Sequence, residues 1–388
     1  MKYTAKIINF ELLYTTSDTA NLTELTYEHV IQQLTIASKE GCDTIIGLLL
    51  IDGFLYKDNE KFYNLLYRVQ EYAIPLGIIN LKLVAGMAEQ YQHKLDNRGL
   101  KFEIIFWDFN VNMVYQSYKD KRTATWNSDA DKFLFLGGIP SRHNRITLLY
   151  KMYKSKLLSS AIWSFFKPWT DGDKEWCRRA LPVDDYDAFL NDCDRSIDTL
   201  YDASKDYSKL NGKEIKDSNI HNTKWCQDPS WIDPELFESA VFSVISEGNV
   251  YEPGNDYRFL TEKTWRTIVN RHPFILAGDP EQFRYLESKD IATFKEYLKI
   301  PRYAEISSEL ERFNAIITNV IYFLTSFKLY RSDIEKDIEH NYRVFVDQVK
   351  RNQIILDHFE LDYNISKAEL DKWFNQKSFV HLTSVIEL

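Results

Sequence analysis

The sequence predicts an α/β protein of two domains, each built on a parallel sheet, followed by helices. The chain has 388 residues, which favours two domains over one. Short β-branched or aromatic runs alternate with stretches of helical periodicity, as in βαβ units. Beyond residue 306 the apolar spacing is helical throughout. We therefore assign residues 1–128 to an N-terminal domain, 129–305 to a second domain and 306–388 to C-terminal helices.

The first domain is predicted from four strand-like runs. Between the second and third runs, apolar residues around Leu65 and Leu66 recur at helical spacing and predict a helix that packs on the sheet. Alternation of this kind is typical of a parallel sheet. The predicted strands are Phe10–Tyr14, Thr44–Ile51, Leu76–Val84 and Phe102–Trp107.

The second domain follows residues 117–131, a polar stretch that we interpret as an interdomain connection because few of its residues suit a core. Residues 170–235 are polar and predict helices and long loops. The remaining predicted elements are strands at Lys132–Leu136, Ala161–Phe166, Ser239–Ile245 and Pro273–Ala277, and a helix at Thr261–Asn270.

Composition excludes several classes of protein. The net charge is −9, so the surface as a whole does not attract polyanions, although a local basic groove is compatible with this total. The 4 cysteines form no CxxC pair, which argues against a disulfide framework or a zinc site. There is no signal peptide or apolar run of membrane-spanning length, and we expect a cytoplasmic protein. GxGxxG and P-loop motifs are missing, which disfavours a dehydrogenase or P-loop NTPase.

The first candidate binding motif is an Arg-His-Asn-Arg block after the strand at 132–136. Arg142, His143 and Arg145 lie where a helix is expected to begin, and cations there oppose the helix dipole. A bound phosphate would resolve that conflict. The alternative is a solvated loop whose arginines pair with nearby acids.

Two further candidates flank predicted strand ends. Thr261 is predicted to be a helix N-cap, Glu262 has the acceptors for a ribose diol, and Lys263 supplies charge for phosphate. Glu247 ends a buried strand, where open α/β sheets place ligand-binding groups. Each also has an ordinary interpretation. Residues 261–263 could be a capped helix with an exposed ion pair, and Glu247 could be a strand-end acid that caps a loop.

The order of these motifs resembles the donor-site region of fucosyltransferase-like glycosyltransferases. The resemblance is carried by Ser243–Glu247, Phe259–Trp265 and His272–Gly278, with Pro140–Arg145 upstream. It covers roughly residues 132–300 and depends on the spacing of Thr-Glu-Lys between two strands. The His-Asn pair between the arginines departs from the family pattern, and the N-terminal third shows no match.

The resemblance implies a GT-B fold of two Rossmann-like domains and metal-independent transfer of a sugar from a nucleoside diphosphate, UDP- or GDP-linked, without a further cofactor. Arg142 or Arg145 together with Lys263 would bind the pyrophosphate, and Glu262 the ribose. The chain also looks like bacteriophage- or virus-encoded members, which would work in the host cytoplasm. That similarity makes DNA modification, at a hydroxymethylated pyrimidine, one acceptor hypothesis. A glycan is the other, and a noncatalytic nucleotide- or nucleic-acid-binding module is the alternative from another class.

Transfer to a hydroxyl needs a base on the acceptor side. Asp52 and Asp108 each follow a predicted strand of the first domain and are the candidates, with a turn-forming aspartate as the alternative for either. A DNA acceptor would also need cations and stacking groups. Near the predicted connection, the sequence offers Lys119, Lys121 and Arg122 for phosphates, and Trp107, Tyr118 and Trp126 for stacking.

Overall fold

The fold is α/β and contains two parallel sheets of four strands each in the part of the chain that the structure describes. This confirms the predicted class. Among the described helices, none combines the length and the apolar character that crossing a membrane requires. The computed structural model describes residues 4–10, 20–49, 60–85, 92–138, 143–165, 232, 234–247 and 260–374.

The first sheet has the strand order β1-β2-β3-β4, so each strand pairs with the next one along the chain. Parallel pairing in this order requires a crossover between successive strands. The elements are β1 Ala5–Asn9, α1 Ala20–Lys39, β2 Thr44–Leu49, α2 Glu60–Ala73, β3 Asn80–Ala85, α3 Gln92–Asp96, β4 Phe102–Phe106 and α4 Phe109–Tyr118.

Both faces of the first sheet are buried, as expected for parallel strands. On one face Ile45 and Leu83 belong to a core cluster with Leu66 of the predicted amphipathic helix α2. On the other face Ile46 packs in a cluster with Phe359 from the C-terminal helices. The alternation of side chains along β2 therefore divides its apolar residues between two cores.

The first strand lies earlier than predicted. Phe10–Tyr14 is the predicted strand, whereas β1 covers Ala5–Asn9, and residues 11–14 lie outside the described part. Phe10 follows the strand and is fully buried, with its ring 6.2 Å from that of Phe102. The aromatic side chain of Phe10 is therefore part of the core next to the end of β1, and Phe10 itself does not begin a strand.

The second sheet has the strand order β6-β5-β7-β8. From β5 the chain crosses to β6 on one side, whereas β7 lies on the other side of β5 and leads outward to β8. The carboxyl ends of β5 and β7 therefore flank a topological switch point, where open sheets form a crevice. The elements are β5 Phe133–Gly138, α5 His143–Lys154, β6 Ala161–Phe165, α6 Pro234–Glu238, β7 Phe242–Ser246, α7 Glu262–Val269, β8 Phe274–Ala277 and α8 Pro280–Ser288.

The C-terminal helices are α9 Glu309–Ser326, α10 Arg331–Tyr363 and α11 Lys367–Phe374. They do not form a separate body. Of the described residues, those up to 116 and those from 346 onward make one compact unit, and those from 117 to 345 make the other. The predicted segment 306–388 is thus divided between the two units, because α9 packs on the second sheet and the end of α10 on the first.

The stretch 117–131 is held to the second unit at several points, although 8 of its 15 residues are exposed. Tyr118 is buried, and its hydroxyl donates to Ile232 O and accepts from Ile232 N and Asn270 Nδ2 at 2.9–3.1 Å. Trp126 Nε1 donates to Val241 O at 2.8 Å. Polar side chains attach this stretch to the second unit, so the spacing of apolar residues alone does not predict its packing.

Replacing Tyr118 by Phe should destabilise the protein by about 2–3 kcal/mol, because Ile232 N, Ile232 O and Asn270 Nδ2 each lose a hydrogen bond, and Asn270 Nδ2 keeps its bond to Arg266 O. Chemical denaturation monitored by circular dichroism measures this loss. Lys119→Ala, at an exposed neighbouring position, is the control and should stay within about 0.5 kcal/mol of the wild type. A Tyr118→Phe variant as stable as this control would contradict the packed arrangement.

Candidate functional site

Glu247 directly follows β7 and has no exposed surface. Its Oε2 accepts a hydrogen bond from the Thr261 amide at 3.2 Å, and its Oε1 accepts one from the Thr264 hydroxyl. The carboxylate therefore contacts the start of α7 inside the protein. The sequence correctly placed Glu247 at a strand end, but its side chain is engaged with this helix, in contrast to the predicted contact with a donor.

Asn144 in the first turn of α5 reaches the same strand end from another element. Its Nδ2 donates to Glu247 O at 2.9 Å and to Ser246 Oγ at 3.2 Å. The three motifs that the sequence singled out thus meet at the carboxyl end of β7. We call Asn144, Ser246, Glu247, Thr261 and Thr264 the edge cluster; all of them are buried.

The arginine block is partly described. Arg142 lies outside the described residues, and His143 begins α5 but its side chain is not among those described. Arg145 lies one residue after Asn144 of the edge cluster and is 7% exposed. A buried guanidinium therefore sits in the first turn of α5, next to a residue that bonds to β7.

The start of α7 carries an ion pair. Thr261 is the N-cap that the sequence predicted, and its hydroxyl accepts from Lys263 N at 3.3 Å. Lys263 Nζ donates to Glu262 Oε1 at 2.8 Å and to Thr261 Oγ1 at 3.3 Å. Burial of Glu262 opposes its ionisation, but Lys263 and Arg266 outweigh burial and lower its pKa to about 2. Glu262 is thus an ionised acceptor at neutral pH.

Beneath α7 a narrow cleft opens against β5 and β7, with a volume of about 20 Å³ for the centres of water molecules. The basic residues Lys263 and Arg266 line it, together with others that include Phe237, Ser243 and Ser246. This space holds about one water molecule, so a ligand could enter only if the side chains around the cleft moved. Arg266 was not predicted as a site residue, although its position three residues after Lys263 places both on one helix face.

Ser243 is paired with a buried histidine. His272 Nε2 lies 2.8 Å from Ala240 O, a pure acceptor, so this nitrogen carries the proton. Nδ1 of the neutral ring then accepts from the Ser243 hydroxyl at 2.8 Å. Burial lowers the pKa of His272 to about 4, and the ring is neutral at physiological pH. These contacts give His272 a structural role beside Ser243, which lines the cleft.

The two predicted bases belong to the N-terminal domain that the sequence predicts. Asp52 lies outside the described residues. Asp108 is 7% exposed and precedes α4, where its Oδ1 accepts from Val111 N at 2.9 Å. Its backbone oxygen accepts from Asn352 Nδ2 at 2.9 Å. Asp108 therefore caps a helix, which corresponds to the local role that the sequence analysis set against catalysis.

The stacking groups predicted for DNA are mostly internal. Trp107 has no exposed surface, and its ring lies 4.8 Å from that of Phe374. Tyr118 is buried as described above. Arg122 donates to both carboxylate oxygens of Glu238. In their present positions Trp107 and Tyr118 are not accessible to a base.

No protein-family model, curated protein or solved structure matches this chain. In the described part of the chain, no group of three His, Cys, Asp or Glu side chains is arranged to hold a metal ion. The functional inference therefore depends on the geometry at the edge of the second sheet.

The low pKa of His272 predicts a pH-dependent stability. The unfolded chain takes up a proton below its ordinary pKa of 6.5, whereas the folded protein does so only near 4. Stability should thus fall as pH drops from about 6.5 to about 4, by up to about 1.4 kcal/mol per pH unit from this residue. His272→Gln, which preserves one donor and one acceptor, should flatten this part of the profile. The exposed His29→Gln is the control. Identical profiles for His272→Gln and wild type would refute the assignment.

The capping role of Asp108 predicts different outcomes for two substitutions. Asn keeps the acceptor for Val111 N and should preserve stability, whereas Ala should cost about 1 kcal/mol. Thermal unfolding of both variants measures the difference. Equal losses in the two variants would show that the charge of Asp108, rather than its capping oxygen, matters to the fold.

Proposed function

We propose that this protein is a glycosyltransferase that moves a sugar from a nucleoside diphosphate to a hydroxyl acceptor. The observation that supports the proposal is the convergence of α5 and α7 on the carboxyl end of β7. Arg145 and Lys263 lie in the first turns of these two helices. Helix starts and cations favour phosphate groups, and the switch point of a parallel sheet is where such ligands bind.

The donor would be held by residues that already have suitable charge. Lys263 would exchange its contact with Glu262 for the diphosphate, to which Arg142 or Arg145 adds positive charge. The released Glu262 carboxylate would accept hydrogen bonds from the ribose diol, since its pKa of about 2 keeps it ionised. Cations beside the diphosphate would also stabilise it as a leaving group.

A two-Rossmann-domain arrangement of the GT-B type belongs to this proposal, with UDP- or GDP-linked sugars as donors and no further cofactor. The acceptor is a hydroxyl of a glycan or of a hydroxymethylated pyrimidine in DNA. Burial of Trp107 and Tyr118 removes part of the support for DNA. The catalytic base is assigned to Asp52 ahead of Asp108, because Asp108 is engaged in capping α4.

Lys263→Ala should weaken donor binding by about 10- to 100-fold, the effect of losing one charge-assisted hydrogen bond of about 1.5–3 kcal/mol. Calorimetric titration with a panel of UDP- and GDP-sugars measures it. Lys295→Ala is a matched control, since Lys295 also pairs with a glutamate, Glu287, but lies outside the cleft. Its affinity should equal that of the wild type.

Two results would count against the proposal. If the wild type bound none of these nucleotide-sugars, the glycosyltransferase assignment would be wrong. If it bound one tightly but neither hydrolysed it nor transferred its sugar to glycan or hydroxymethylated DNA acceptors, a noncatalytic binding module would be the better description. If Lys263→Ala bound the donor as tightly as the wild type, only the assignment of Lys263 to the site would be wrong.

A further inference from the structure

We propose that Glu247 is a positioning residue for the donor site, and that it fixes the start of α7 and hence the location of Lys263. This inference rests on the proposed function, because Lys263 is the phosphate-binding group there. Glu247 itself would not touch the donor, since it has no exposed surface and both of its carboxylate oxygens accept hydrogen bonds from α7 residues.

The contacts of Glu247 restrain α7 at two points. One carboxylate oxygen accepts from the amide of the N-cap residue Thr261, and the other from the hydroxyl of Thr264 three residues later. Two points on one turn define both the position and the rotation of the helix start. Because Lys263 lies between them in sequence, its direction depends on these two bonds.

The backbone of Glu247 is restrained as well. Its N–H donates to Ala277 O at the end of β8, and its carbonyl accepts from Asn144 of α5. The carboxylate that holds α7 is therefore itself anchored to a neighbouring strand and to the helix that carries Arg145. Displacement of Glu247 would change the separation between the two cation-bearing helix starts.

The charge of Glu247 is unfavourable for anion binding. A role through position and a role through charge therefore predict opposite effects of mutation on donor affinity. A negative carboxylate near a phosphate site repels the ligand, and its burial is tolerated only because two donors satisfy it. If Glu247 acted through its charge, removing the charge would strengthen donor binding. If it acts through position, shortening the side chain would weaken binding even with the charge retained.

Two substitutions separate position from charge. Glu247→Asp keeps the charge but is one methylene shorter, so its carboxylate no longer reaches both donors. Glu247→Gln keeps the length, and its amide can accept from Thr261 N and donate to the Thr264 hydroxyl. We expect Glu247→Asp to weaken binding of the preferred UDP- or GDP-sugar about 10-fold, since small misplacements are costly in binding sites. Glu247→Gln should bind as tightly as the wild type or more tightly.

A double-mutant cycle with Lys263 tests whether the effect passes through that residue. In a Lys263→Ala background, Glu247→Asp should cause a clearly smaller loss of donor affinity than in the wild-type background, because only the Glu262 contact remains to be displaced. Asp279→Ala is the matched control, because Asp279 is a buried carboxylate that caps the neighbouring helix α8. It should lower stability without changing donor affinity.

Hydrogen exchange gives a readout that needs no donor. The Thr261 amide should exchange about 10-fold faster in Glu247→Asp than in the wild type, and at wild-type rate in Glu247→Gln and Asp279→Ala. Unchanged exchange in Glu247→Asp would overturn the restraint of α7 whatever the protein binds. Faster exchange with unchanged donor affinity, or additive losses in the double mutant, would overturn the positioning role. Failure of the wild type to bind any nucleotide-sugar would instead overturn the donor site itself.

Discussion

Glu247 brings a carboxylate into a place that solvent does not reach, at the end of the central strand β7. An isolated charge there would cost several kcal/mol, and the cost is avoided because the helix start of α7 supplies two hydrogen-bond donors. The sequence between β7 and α7 must therefore return Thr261 and Thr264 to this carboxylate. This requirement fixes the edge cluster, and the positions of the neighbouring cations follow from it.

The topology of the second sheet makes that edge a suitable site for a ligand. β5 and β7 are neighbours, but the chain continues from β5 to β6 on one side and from β7 to β8 on the other. The helices that follow β5 and β7 therefore begin on different sides of this switch point. α5 and α7 therefore present their first turns at one sheet edge. The first sheet has its strands in simple sequence order and offers no equivalent switch point among its described strands.

The repetitive parts of the fold could be predicted from sequence, and the polar long-range contacts could not. Apolar runs located β2 and β8, and the N-cap Thr261 located the start of α7, because these signals are local. The packing of residues 117–131 depends on the Tyr118 hydroxyl and its partners at 232 and 270, more than a hundred residues away in sequence. The periodicity of apolar residues carries no information about hydrogen bonds between residues so far apart in sequence.

The candidate site also has features that the sequence predicts and features that it does not. Residue type and order predicted that the arginine block, Glu247 and the Thr-Glu-Lys motif would converge, and the hydrogen bonds of Asn144 and Thr261 to Glu247 confirm it. The inward orientation of the Glu247 side chain was not predictable, since a strand-end acid can equally face solvent. The placement of Arg266 in the cleft was available from helical spacing but was overlooked.

The central claim is that a nucleoside diphosphate binds at the edge where α5 and α7 begin. Hydrogen–deuterium exchange of the wild-type protein, with and without saturating UDP or GDP, tests it most directly. The claim predicts slower exchange on binding in peptides that contain the first turns of α5 and α7, around Asn144 and Lys263, and little change in the first sheet. Protection confined to other segments, or none with either nucleotide, would contradict it.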